Sequence, residues 1–165
     1  RLDEAYYIKG RYFGNNGRIE EAIYNFDQAI KANPNFFWAY SSKGYFLIWV
    51  KHDYVRGLEN YFNAIKLVRG ENRPDTYANL ARAYHEVGFF DKARDVFLEE
   101  LSLTKDSVRY LSEMAWLEFS NENYSASLDY NRKAKALDTT ITIELNYFFV
   151  NLSRYLSTLE LDHLK

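Results

Sequence analysis

The 165-residue chain contains no cysteine, which excludes a disulfide framework, a thiolate metal site and a cysteine nucleophile together. Its redox compartment stays open on that count, since oxidised proteins can also lack cysteine. It has no 18-residue apolar run, so no membrane-spanning helix is expected and no membrane partner. An excess of either charge is missing too: 21 Lys and Arg against 23 Asp and Glu leave a net charge of −2, which argues against a nucleic-acid partner. Histidine is scarce, with His52, His85 and His163 far apart and in no metal-ligand spacing. His85–Glu86 begins like a zinc motif, but the fourth residue after His85 is Phe89, and His85 reads as a surface or groove residue. Glu20–Glu21 and Glu99–Glu100 read as solvated helix faces. Gly10, Gly14 and Gly17 have phosphate-loop-like intervals, yet they form no dinucleotide pattern and no strand precedes them. No Ser–His–acid set can be assembled, so no catalytic residue, cofactor or metal is expected. Residue 1 is Arg and the only methionine is Met114, so the chain is expected to be a piece of a longer protein or a processed one. No secretory signal opens it, which leans the expectation towards the cytoplasm.

Proline is limited to Pro34 and Pro74, while 15 Tyr, 12 Phe and 3 Trp make 18% of the chain aromatic. So few breakers, with runs such as Ile19 to Lys31 and Thr76 to Val87, predict helices throughout and an all-α fold. An internal repeat sets the architecture. A large residue, a small one four on and a third three further recur as Tyr6, Gly10, Phe13; Tyr40, Gly44, Leu47; Tyr77, Ala81, Tyr84; and Leu111, Ala115, Glu118. A second trio follows each: Ala22, Phe26, Ala29; Gly57, Tyr61, Ala64; Ala93, Phe97, Glu100; and Ser127, Asn131, Ala134. The first trio recurs at 34, 37 and 34 residues and the second at 35, 36 and 34. The second repeat has therefore gained one residue before Gly57 and two after it.

Residues i, i+4 and i+7 share one helix face, so each trio is a buried stripe, and its small member lets two helix axes approach. Gly17 and Gly88 lie between paired stripes, where a helix ends and the chain turns. Pro34 and Pro74 fall where one repeat ends and the next begins. Each repeat is a helix hairpin that cannot cover its own apolar face, and stacking hairpins covers it.

This pattern resembles the tetratricopeptide repeat, whose signature has a 34-residue period. The first repeat, Asp3 to Phe36, carries Tyr6, Gly10, Phe13, Gly17, Ala22, Phe26, Ala29 and Pro34 at the signature places. The third, residues 74–107, adds Leu80 but has Glu100 where a small residue is usual. The second, 37–73, is stretched, and the fourth, 108–141, is degenerate, with Glu118, Ser127 and Asn131 at apolar or small places. The expectation is one domain: a right-handed α-solenoid of four antiparallel hairpins plus a helix over 142–165 bearing Leu145, Phe149 and Leu152. That helix is expected to cap the stack, and its continuation over 154–165 caps as well, joins a neighbouring domain or dimerises.

The resemblance implies that first helices line a concave groove. Residues off the buried stripes then become candidates: Tyr7, Arg11, Ser42, Tyr45, Trp49, Asn79, Arg82, Arg109, Trp116 and Tyr147. All three tryptophans, Trp38 included, fall on such places, and aromatics beside arginines have the composition of interface hot spots. Packing between hairpins is an alternative for Trp38, Trp49 and Phe119, and stands equally open for the last two. One subset of the family grips C-terminal carboxylates with a Lys, Asn, Asn, Lys, Arg set. The matching residues are Tyr7, Arg11, Ser42, Asp75 and Asn79, so a chaperone-tail adaptor is not expected. The leading functional expectation is a non-catalytic module that takes a peptide or helix of a protein partner into its groove. The alternative is a regulatory segment of a signalling protein, because Tyr7 to Tyr12 resembles the start of repeat regions attached to adenylate cyclases and transcriptional regulators. Partner identity and oligomeric state are not legible.

Overall fold

The computed structural model describes residues 1–67, 76–138, 152, 154–156, 158 and 159. Among these the chain is all-α, an array of helical repeats with no strand. Eight helices are described: α1 (Leu2–Asn15), α2 (Ile19–Ala32), α3 (Phe37–Trp49), α4 (Tyr54–Leu67), α5 (Thr76–Glu86), α6 (Phe90–Thr104), α7 (Ser107–Ser120) and α8 (Tyr124–Leu137). The expected terminal helix falls largely outside the described residues, as do Pro74 and Tyr147; residues 152, 154–156, 158 and 159 are helical. The chain divides into two compact units, Arg1–Gly88 and Phe89–Lys165, with the division at the glycine between the helices of the third repeat.

In the first unit, α1 pairs with α2 and α3 with α4, while α3 also packs on α2 and α5 on α4. Gly10 sets the first crossing. A Cβ there would meet the Phe26 ring at 2.7 Å and the Ala22 carbonyl at 3.2 Å, so only a hydrogen leaves room for the ring. Phe26, fully buried, contributes about 2–3 kcal/mol by leaving water. Gly44 brings α3 against α4 in the same way, its Cβ position lying 3.1 Å from the Gly57 carbonyl oxygen. Ile48 fills the space that a side chain at Gly57 would take. Gly14, which the repeat pattern leaves unassigned, admits the Phe46 ring of α3, and that ring stacks on Phe26 with centroids 5.8 Å apart.

The second unit solves the same positions with polar groups. Ser127 stands where Ala22 and Gly57 stand, fully buried, and its hydroxyl donates to the Ala115 carbonyl at 2.8 Å across the α7–α8 crossing. Buried Glu118 accepts from Asn123 Nδ2 at 2.9 Å and meets Arg94 at 3.3 Å. Buried Glu100 meets Arg109 of α7 at 3.0 Å. Asn131 takes Phe26's place, and its Nδ2 is buried without a hydrogen-bond partner.

The turns show where the extra residue of the second repeat went. Gly17 at φ +74° and Gly88 at φ +82° turn the chain in the left-handed region, which glycine enters without a Cβ clash. Glu122, the counterpart in the fourth repeat, adopts φ +63°, and Asn123 N–H reaches the Glu118 carbonyl at 2.9 Å as Arg18 N–H reaches that of Phe13. Between α3 and α4 the turn holds Val50 to Asp53 rather than three residues, and His52 takes the left-handed place at φ +55°. The two residues gained later fall in the connection between α4 and α5, outside the described residues.

Candidate functional site

In the first unit α3 touches both α1 and α5, so the first helices lie side by side and present seven of the ten candidates. Each departs from its buried trio by about 100° or more around the helix, which is why packing leaves it partly uncovered. Tyr7 is half-buried, edge-on to Phe36 at 5.4 Å, with the Arg11 guanidinium 5.9 Å from its ring centroid. Arg11 itself is exposed. Ser42 and Asn79 are half-buried. Tyr45 is 48% exposed and meets Phe46 edge-on at 5.5 Å, so its ring is braced from one side and open on the other.

Trp49 and Arg82 are half-buried. The Tyr61 side chain of α4 is fully buried, its ring 3.3 Å from the Cβ position of Gly44 on α3. Burial pushes its phenol well above its ordinary pKa, with Tyr45 adding to the shift and Arg82 acting against it, and the hydroxyl has no hydrogen-bond partner. Tyr45 and Arg82 are therefore within electrostatic reach of Tyr61. Sequence reading selected Tyr45, Trp49 and Arg82 and took Tyr61 only as core. Trp38 is exposed and tilted against Phe37 with centroids 4.4 Å apart.

The second unit carries Arg109 and Trp116 on α7. Arg109 is half-buried and bound to the buried Glu100 carboxylate, so its charge is already met within the unit. Trp116 is half-buried, and its backbone carbonyl accepts from the Ser120 hydroxyl at 2.9 Å. Phe119 meets Tyr124 edge-on at 5.7 Å, a contact inside its own hairpin. Tyr147 and Asp75 lie outside the described residues.

Two sets of residues, buried or half-buried in α2 to α5, escaped the trio pattern. Asn25 and Asn60 take equivalent places on α2 and α4, each donating its amide to the carbonyl four residues earlier at 2.7 Å. Their recurrence 35 residues apart was the available signal. The other set is a second stripe on each first helix, at one residue before the trio, three after and six after: Ala39, Lys43 and Phe46 in α3, and Thr76, Leu80 and Ala83 in α5. Among the described residues no group of three or more His, Asp or Glu is placed to hold a metal ion, and no helix is long and apolar enough to cross a membrane.

The first hairpin matches a family model by sequence: residues 3–36 fit the tetratricopeptide repeat. The structure resembles a thermophilic TPR protein of Thermus thermophilus with a TM-score of 0.69 at 17% identity, over 90% of this chain and 80% of that one. This is a tetratricopeptide-repeat fold. PilW, a widely conserved type IV pilus biogenesis factor, shares the fold with a TM-score of 0.71 at 13% identity, over 94% of this chain and 70% of PilW. YrrB, a TPR protein with an unusual peptide-binding site, shares it with a TM-score of 0.60 at 12% identity, over 93% and 76% of the two chains. No curated protein matches the chain by sequence. Tetratricopeptide-repeat folds serve in general as scaffolds for protein–protein contacts.

Proposed function

We propose that the protein is a non-catalytic interaction module whose first-helix face receives a peptide or helix from a protein partner. The observation that carries this reading is the exposed Tyr45 ring, braced edge-on by Phe46, with half-buried Trp49 one turn further along α3 and half-buried Arg82 on the adjoining α5. An exposed ring braced from behind loses little side-chain entropy on binding, and a guanidinium beside it offers directed donors to a carbonyl or carboxylate. YrrB, similar in fold, is described as having a peptide-binding site, which supports a peptide as the ligand class. Tyr7, Arg11, Ser42 and Asn79 extend the face along α1, α3 and α5. On α7, Trp116 is the residue of the second unit that we assign to binding, while the contact of Arg109 with Glu100 favours a structural share for that arginine.

The test begins with a pull-down by the full-length protein and identification of its partner by mass spectrometry. Tyr45→Ala and Trp116→Ala are then each expected to weaken that partner by about 2 kcal/mol, roughly thirtyfold. Thermal midpoints are expected to change much less than in Phe26→Ala. Unaltered affinity with a midpoint lowered as far as in Phe26→Ala would assign both rings to packing and end the proposal.

A further inference from the structure

The second stripe of the first helices does one job wherever it is covered. On α3 it comprises Phe36, just ahead of the helix, with Ala39, Lys43 and Phe46. Phe36 meets Tyr7, Ala39 is buried, Lys43 pairs with Asp27 at 2.6 Å, and Phe46 enters the space over Gly14 and stacks on Phe26. Phe36, Lys43 and Phe46 therefore dock α3 onto the hairpin before it. On α5 the stripe is buried beside α4 through Leu80 and Ala83, and on α7 through Met114 and Leu117 beside α6. On α1 the same places hold Leu2, Ala5, Lys9 and Tyr12, and every one is exposed, Leu2 by 64% and Tyr12 by 63%. The residue classes match those of α3 one for one: large apolar, Ala, Lys, aromatic. Lys9 rests over the Phe13 ring at 5.8 Å and has no carboxylate partner among the described residues.

We propose that the Leu2–Ala5–Lys9–Tyr12 stripe is the docking face for one further hairpin of this repeat, lying ahead of α1 in the polypeptide. That hairpin presents a small residue to Tyr12 and a carboxylate to Lys9, as Gly14 and Asp27 do for Phe46 and Lys43. A second copy of the chain stacked head to tail fits poorly. The places of Gly14 and Asp27 in its last hairpin are Phe119 and Arg132, which would meet Tyr12 with bulk and Lys9 with like charge. The face is distinct from the Tyr45–Trp49–Arg82 grouping, so the two proposals stand or fall separately.

Hairpin 1 supplies the test, because its distal side already carries Gly14, Phe26 and Asp27. A 199-residue chain (34 + 165) in which residues 1–34 are repeated ahead of Arg1 keeps the 34-residue period and sets those groups over the stripe. The added hairpin is expected to raise the helical signal and the thermal midpoint, and to slow amide exchange in the original α1 by tenfold or more. Lys9→Glu is expected to lower the midpoint in the extended chain and hardly in the 165-residue chain. Asp27→Lys in the added copy should restore it. An added hairpin that stays unfolded, unchanged exchange in α1, or an equal effect of Lys9→Glu in both chains would overturn the proposal. So would a 165-residue chain that light scattering shows to be a dimer, if Tyr12→Glu makes it monomeric.

Discussion

The first and last hairpins share one backbone plan and fill it with opposite chemistry. In α1–α2 the crossing is made by Gly10, Ala22, Phe26 and Ala29, and the last three are fully shielded from solvent. In α7–α8 the corresponding interior includes Glu118, Ser127 and Asn131. Buried polar groups are tolerated when their hydrogen bonds are made, and two of these three are bonded: Ser127 to the Ala115 carbonyl, Glu118 to Asn123 and Arg94. Asn131 is the one with an unmet donor. A degenerate repeat is therefore one in which local hydrogen bonding has replaced part of the apolar burial, at the cost of one imperfect site.

The largest expected effect breaks the apolar side of this comparison. Phe26→Ala empties the ring space against Gly10 and Phe46, and should cost about 3–5 kcal/mol, read by denaturant unfolding of the 165-residue chain. Next is repair of the polar side. Asn131→Leu removes the unmet donor and should stabilise the last hairpin by about 1–2 kcal/mol. Hydrogen exchange in α8, expected to be faster than in α2, should then slow towards it; an unchanged rate would show that Asn131 imposes no weakness.

A smaller gain is expected at the turn. Glu122 holds the left-handed conformation that Gly17 holds in the first hairpin, so Glu122→Gly should stabilise by about 0.5–1 kcal/mol, measured by thermal unfolding. The smallest effect concerns the ionic clasp of the first hairpin. The Asn33 side-chain amide at 2.7 Å, then Arg1 at 2.8 Å, hold Asp3 below the usual carboxylate range despite the opposing effect of burial. A depressed pKa means a contribution present in full above the unfolded value of about 4 and lost as pH falls through the lower folded value. Protection of the amides at the start of α1, measured against their intrinsic exchange rates, should therefore fall below about pH 4, and Asp3→Asn should flatten that dependence. The last hairpin, without this clasp, serves as the internal control.

The helices, their pairing and the interior trios were legible because helical period and repeat period are properties of the chain alone. Tyr6, Gly10 and Phe13 need only a 3.6-residue turn to share a face, and a 34-residue echo marks the hairpin. The tertiary structure decided how the polar exceptions are satisfied. Nothing in the order of residues says that Glu100 will meet Arg109, that Ser127 will reach the Ala115 carbonyl, or that Gly14 is empty for Phe46. It also decided that the Tyr45 ring stays half exposed against Phe46 and that the docking stripe of α1 is bare while that of α3 is covered. The physical reason is the same in each case. Periodicity assigns a residue to a side of its own helix, whereas burial and hydrogen bonding depend on which other helix arrives at that side, and only the packed molecule contains that information.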